Sequence, residues 1–203
     1  PNVKLTINTL GDKQVREDYR EALINFLKPH YDELSSDSQE RMYRNPLRVL
    51  DSKDAGDQKI VAQAPSILDY LDEESQNYFD QVQSLLRELG IDYEIDTNMV
   101  RGLDYYNHTI FEIMSDSPVF GGGYTTVCAG GRYNGLISQL GGPEEGGIGF
   151  GMGVERLMLL LQEENPEFAP QDQLDVFFAS ANEDGDNLAF KILNQIRDKG
   201  VVA

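Results

Sequence analysis

Apolar positions along this chain keep first a two-residue rhythm, then a helical one, and then return to two. Val3 to Ile7 alternate apolar and polar residues and stop before Gly11, which predicts a short strand. Val15, Tyr19, Ala22, Leu23, Phe26 and Leu27 then recur at three- and four-residue intervals, the stripe of a helix ending near Pro29. Ser36 with Gln39 has the form of a capping box and opens a short helix that should close before Pro46. Leu47 to Ala64 is polar and turn-rich, a connector with one helical turn. Asp72 caps a longer helix with the stripe Tyr78, Val82, Leu85, Leu86 and Leu89, and Gly90 supplies its left-handed stop.

Beyond Gly90, Ile91, Tyr93 and Ile95 alternate with acids, and Thr109, Phe111 and Ile113 alternate with His108, Ile110 and Glu112. Gly121–Gly123 mark a hairpin-like connection into a strand at Thr125–Ala129. A short helix covers Leu136–Leu140 before Gly141, Gly142 and Pro143 break it. Links this short favour antiparallel pairing, since parallel neighbours need longer crossovers. Asn165 to Gln173, with Pro166 and Pro170, reads as a linker. Leu174–Ala179 is a nearly continuous apolar strand, and the helix after it carries Leu188, Ala189, Ile192, Leu193 and Ile196, ends at Gly200 and leads into Val201 and Val202. The pattern predicts an α+β fold: an antiparallel sheet with helices, then the start of an α/β unit.

Composition narrows this picture. With 203 residues the chain holds one ordinary domain or two small ones, and 40% hydrophobic with 26% charged residues is globular. No apolar run approaches the roughly 20 residues that span a bilayer, so no membrane partner is expected. A chain opening at Pro1 without Met and stopping at Ala203 reads as an excised fragment. The lone Cys128 forms no internal disulfide, which fits a reducing cytoplasm. A net charge of −18 repels a phosphate backbone, which argues against a broad nucleic-acid surface while leaving room for a local basic patch.

Three segments carry the candidate chemistry. In VRGLDYYNHTIFEI (Val100–Ile113), Arg101 beside Tyr105 and Tyr106 suits a small zwitterion, the cation taking an oxyanion and the phenols a polar side chain. An Arg101–Asp104 surface pair with Tyr106 in the core is the competing reading. In CAGGRYNGL (Cys128–Leu136), Tyr133 is either packing or a pocket wall. In GIGFGMGVERLMLLL (Gly147–Leu161), Gly147, Gly149, Gly151 and Gly153 leave one strand face bare for a flat ring, while Ile148, Phe150 and Met152 fill the other. Tight packing explains the same glycines equally well. The helix that follows sets Glu155 and Arg156 in its first turn, where donors suit phosphate. The glycine spacing is wrong for a dinucleotide fingerprint, and no GK[ST] loop follows. His30 and His108 lack neighbours at ligand spacing, so no metal is expected. Cys128 reads as inert core, and the acids at Asp72–Glu74 and Glu144–Glu145 as solvated charge.

In this order the three segments resemble those of histidyl-tRNA synthetases, class II aminoacyl-tRNA synthetases; the first two are similar to that family's histidine-binding signatures and the third to class II motif 3. Asp37–Lys53 (DSQERMYRNPLRVLDSK) resembles the bacterial enzyme's insertion. The resemblance implies a class II core at 1–10 and 85–165, a mainly helical insertion at 11–84 that reaches toward the tRNA acceptor arm, and the start of an α/β anticodon-binding domain at 172–203. It implies activation of L-histidine by ATP, with Mg2+ accompanying the nucleotide, to histidyl-adenylate, transfer to tRNA(His), and a cytoplasmic homodimer. Arg101 then contacts the α-phosphate and carboxylate, Tyr106 the imidazole, and Tyr105 and Tyr133 complete the histidine pocket. Gly149, Gly151 and Gly153 line ATP, and Arg156 meets its terminal phosphates. Motifs 1 and 2 of the family have no counterpart here, so the piece is expected to be inactive alone. The runner-up is a non-catalytic paralogue that senses histidine as a regulatory subunit of ATP phosphoribosyltransferase, and the third reading is a plain interaction module.

Overall fold

The computed structural model describes residues 2–168, 175–180 and 182–201, which divide into two compact units, Pro1–Glu164 and Asn165–Ala203. The first unit is built on a five-stranded sheet: β1 (Val3–Thr9), β2 (Glu94–Ile95), β3 (Asn107–Ser115), β4 (Thr125–Arg132) and β5 (Ile148–Met152), in the order β2-β1-β3-β4-β5. The pairs β1–β3, β3–β4 and β4–β5 are antiparallel, as the short links require. The exception is β2, which pairs with β1 in parallel, Thr6 opposite Glu94. Antiparallel pairing was expected of the whole sheet. A long helical segment separates β1 from β2, and that is the crossover a parallel pair needs.

That segment contains α1 (Lys13–Leu27), α2 (Ser36–Arg44), α3 (Ala55–Val61) and α4 (Glu73–Glu88). Asp12 caps α1 through the Val15 amide, and Val15, Tyr19, Leu23 and Leu27 form its buried face. Tyr19, Leu23, Leu27, Met42, Val49 and Ile67 are fully buried in one cluster, which also takes in Met99, Val100 and Ile110. Each such side chain contributes roughly 1.5–3 kcal/mol on leaving water. Ile110 therefore fixes which sheet face the helices cover.

Two local expectations differ in detail. Ser35, not Ser36, caps α2, because the Ser35 amide and hydroxyl are both drawn onto Asp57 while its oxygen takes the Ser38 amide. Gln39 turns instead to the carbonyls of Tyr31 and Leu34. In α4, Asp72 caps as expected and Gly90 takes φ 66°. Its buried positions, however, are Ser75 and Phe79, while Leu85 and Leu89 stand exposed. Tyr78 lies 5.1 Å from the His108 ring and 5.4 Å from the Arg132 guanidinium, and with Val82 and Leu86 it keeps the predicted stripe half-buried.

α5 (Leu136–Gln139) follows β4, and α6 (Val154–Glu164) follows β5. The second unit contains α7 (Glu183–Arg197), capped by Asn182 and followed by Gly200 at φ 81°. Leu174 and Val202 lie outside the described residues. The strand expected at Leu174–Ala179 is not formed over Asp175–Ala179, which carries no regular secondary structure.

Candidate functional site

Side chains of residues paired across the sheet point to one face. The row Asn8–Ile110–Gly131–Gly149 contains the core residue Ile110, and the next row inward-facing by the same alternation is Thr6–Glu112–Ala129–Gly151. Gly149, Gly151 and Glu112 thus share the face that carries Ile110. This face is where the candidate residues meet.

Arg101 enters it from the loop before β3. Its Nη1 donates to Glu112 at 2.6 Å, its Nη2 donates to the Phe111 carbonyl, and its side chain is only 13% exposed. The Arg101–Asp104 pair of the competing reading does not form: Asp104 accepts from Asn45 Nδ2 at 3.1 Å. Arg101 Nε is buried with no protein partner. Nη2 also donates to Met99 Sδ at 3.9 Å, and the remaining guanidinium N–H groups are available for an oxyanion.

The three tyrosines form one cluster. Tyr105 and Tyr106 lie 4.6 Å apart between centroids, and Tyr133 meets them edge-on at 5.6 and 6.2 Å. The Tyr106 phenol is held above its ordinary range, first by burial and then by its hydrogen bond with Tyr105, with the nearby Arg101 charge acting in the opposite direction. It stays protonated at neutral pH and can donate. The Tyr106 carbonyl accepts from Arg16 Nη1 at 2.5 Å, which ties the loop to α1. Tyr106 also packs against the helical core, as the competing reading expected.

The glycine strip divides. A Cβ on Gly149 would come 2.8 Å from the Tyr133 hydroxyl, so this glycine makes room for the tyrosine. Around Gly151 nothing lies within 4 Å, and a flat surface there remains open. At Gly153 the nearest neighbour is the Arg156 side chain at 3.3 Å. Ile148, Phe150 and Met152 take the opposite face of β5, as the alternation requires, and stand 68, 64 and 46% exposed. They belong to the last strand of the sheet, and no described element covers them. Arg156 donates to the Thr126 carbonyl across from the start of α6.

Two cavities border this loop. One of about 380 Å3 is lined by Met99, Val100 and Glu112 together with Ser52 and Lys53. Another of about 200 Å3 is lined by Asp104, Tyr105, Tyr106, Lys13 and Arg16. Sequence reasoning missed Glu112. Its signal was available: an acid two residues from Ile110 on a strand shares the inward face and needs a partner there.

His108 and Cys128 stay outside this chemistry. Burial, and then the Arg132 charge, lower the His108 pKa, while burial raises that of Cys128. Among the described residues no group of three or more metal-ligating side chains gathers, and no helix is long and apolar enough to cross a membrane.

The family model described as Histidyl-tRNA synthetase matches residues 3–157. The histidine–tRNA ligase of Lactiplantibacillus plantarum is 58% identical over 202 residues, covering 100% of this chain and 47% of the relative. That of Levilactobacillus brevis is 56% identical over 202 residues with the same coverage, 100% and 47%. The crystal structure of apo S. aureus histidyl-tRNA synthetase superposes with a TM-score of 0.64 at 44% identity, over 99% of this chain and 48% of that one. The chain spans about half the length of the curated relatives it matches. With 155 of its 203 residues inside the family match, the chain belongs to the histidyl-tRNA synthetase family.

Proposed function

We propose that the full-length protein containing this chain is a histidine–tRNA ligase, which activates L-histidine with ATP, Mg2+ accompanying the nucleotide, and transfers it to tRNA(His). The observation that carries the reading is the meeting of Arg101, the tyrosine cluster and the open Gly151 on one sheet face. Adenylation draws negative charge onto the α-phosphate as the carboxylate attacks, and a fixed cation aimed at that charge lowers the barrier. Arg101 takes this catalytic role, with its unpaired Nε among the donors it offers. Tyr106 donates to the imidazole, and Tyr105 and Tyr133 wall the histidine site. Gly149, Gly151 and Gly153 line ATP, Gly149 through the tyrosine it accommodates, and Arg156 meets the terminal phosphates.

In this reading 1–10 and 85–165 form the class II core, 11–84 the insertion, and 172–203 the start of the anticodon-binding domain of a cytoplasmic homodimer. The test is histidine-dependent ATP–pyrophosphate exchange by the full-length protein. Arg101→Ala should cut it by about a hundredfold or more, the scale lost with one transition-state donor. Full exchange by the variant removes Arg101 from the role. Histidine binding without exchange or tRNA charging by the unmodified protein favours the regulatory paralogue instead. The isolated 203 residues should not turn over.

A further inference from the structure

We infer that Glu112 and Thr126 act as one positioning unit that sets the reach of both Arg101 and Arg156; the inference rests on the catalytic reading of Arg101 above. Glu112 Oε1 accepts from Arg101 Nη1 at 2.6 Å, and its Oε2 accepts from Thr126 Oγ1 at 3.0 Å. The Thr126 carbonyl accepts from Arg156 Nη1. A continuous chain of contacts, Arg101–Glu112–Thr126–Arg156, therefore links the two cations through β3 and β4.

The backbone is shaped for this link. Ile113 pairs with Cys128 but Met114 pairs with Thr126, so Val127 is an extra residue on β4. Such a bulge re-aims the side chains beside it. Without it, strict alternation from Ala129 would send the Thr126 side chain to the face opposite Glu112. With it, Thr126 pairs with Met114, which shares the face of Glu112. The bulged residue also anchors the other end of the site: the Gly153 amide donates to the Val127 carbonyl at 2.9 Å, at the entry to α6.

A guanidinium on a flexible stem needs two fixed points to hold its plane. Glu112 and the Phe111 carbonyl supply them for Arg101. A carboxylate held only by that arginine would swing with it, and the Thr126 hydroxyl fixes its second oxygen. Glu112 and Thr126 touch no substrate in this scheme. They keep the cation over the α-phosphate aligned with the one over the terminal phosphates.

The experiment uses full-length protein and steady-state ATP–pyrophosphate exchange. Thr126→Val removes the hydroxyl, keeps the shape and leaves the carbonyl to Arg156. It should lower kcat about ten- to a hundredfold with little change in KM for histidine or ATP, because misaimed transition-state contacts cost turnover rather than ground-state binding. Thr126→Ser should recover most of the loss. Glu112→Gln should lower kcat further, and the double variant should be no worse than Glu112→Gln alone. Unchanged kcat in Thr126→Val, no recovery by serine, or multiplying losses in the double variant overturns the positioning unit. If Thr126→Val does not fold, Glu112→Gln decides by the same kcat criterion. Loss of exchange in Arg101→Ala beside silent Thr126→Val and Glu112→Gln sinks the positioning unit alone, whereas a silent Arg101→Ala sinks the catalytic reading and this inference with it.

Discussion

The hydroxyl of Tyr133 stands 2.8 Å from the point where a Cβ on Gly149 would project, while Gly151, two residues on, has nothing within 4 Å. The two glycines therefore answer to different demands, one to packing and one to an open surface. Gly149→Ala forces the tyrosine aside and should cost roughly 1–3 kcal/mol in urea unfolding, the usual price of overpacking. Gly151→Ala should leave stability within about 1 kcal/mol and raise KM for ATP in pyrophosphate exchange. Equal stability losses at both positions would show that the strip serves packing throughout.

Tyr106 is held protonated by burial and by Tyr105. Tyr106→Phe removes its hydroxyl from the proposed histidine site without opening a cavity. KM for histidine should rise about ten- to a hundredfold, as for loss of one or two buried hydrogen bonds, while KM for ATP stays near its starting value. A matched rise for both substrates would argue against a specific contact with histidine.

Asp57 is fully buried. Burial by itself pushes its carboxyl upward, but hydrogen bonds from the Ser38, Ser52 and Ser35 hydroxyls and the Ser35 amide outweigh that and hold it at about 2. The unfolded carboxyl titrates near 3.9, so the native state binds fewer protons between these values. Its stabilisation, roughly 2 kcal/mol, is complete above the unfolded value and fades as pH falls through the folded one. Urea titrations at pH 7, 4 and 3 should show this decline, and Asp57→Asn should flatten that part of the profile while lowering stability at pH 7.

His108 has φ 48°, a left-handed backbone at the register shift between Asn107 and Ile110. Asn tolerates this conformation, whereas a β-branched residue does not. His108→Val should cost about 1–3 kcal/mol more than His108→Asn in thermal or urea unfolding. Both lose the ring contact with Tyr78, so the difference isolates the backbone term. A reversed order would place the strain elsewhere.

The stretches with a strong local period were legible. Val15, Tyr19, Leu23 and Leu27 mark α1 because a helix repeats its burial every three or four residues. The Arg101, Tyr106 and Tyr133 motifs were legible as candidates because their residue types limit the chemistry. Weaker local signals went astray. The stripe of α4 held at Tyr78, Val82 and Leu86, but Ser75 and Phe79 are its fully buried positions and Leu85 and Leu89 stay exposed. Serine at 35 and 36 caps equally well in isolation, and only Asp57, 22 residues further on, selects Ser35.

What the order of residues determined by itself was most of the elements of the first unit and the residue types of the candidate site, because turns, caps and apolar periods act between near neighbours. The folded arrangement decided partners: Arg101 with Glu112 rather than Asp104, Gly149 under Tyr133, and Thr126 turned to Glu112 by the extra residue Val127. Those contacts join different strands and loops through sheet register. A shift of one residue in register sends every side chain to the other face, and no stretch read alone carries that information.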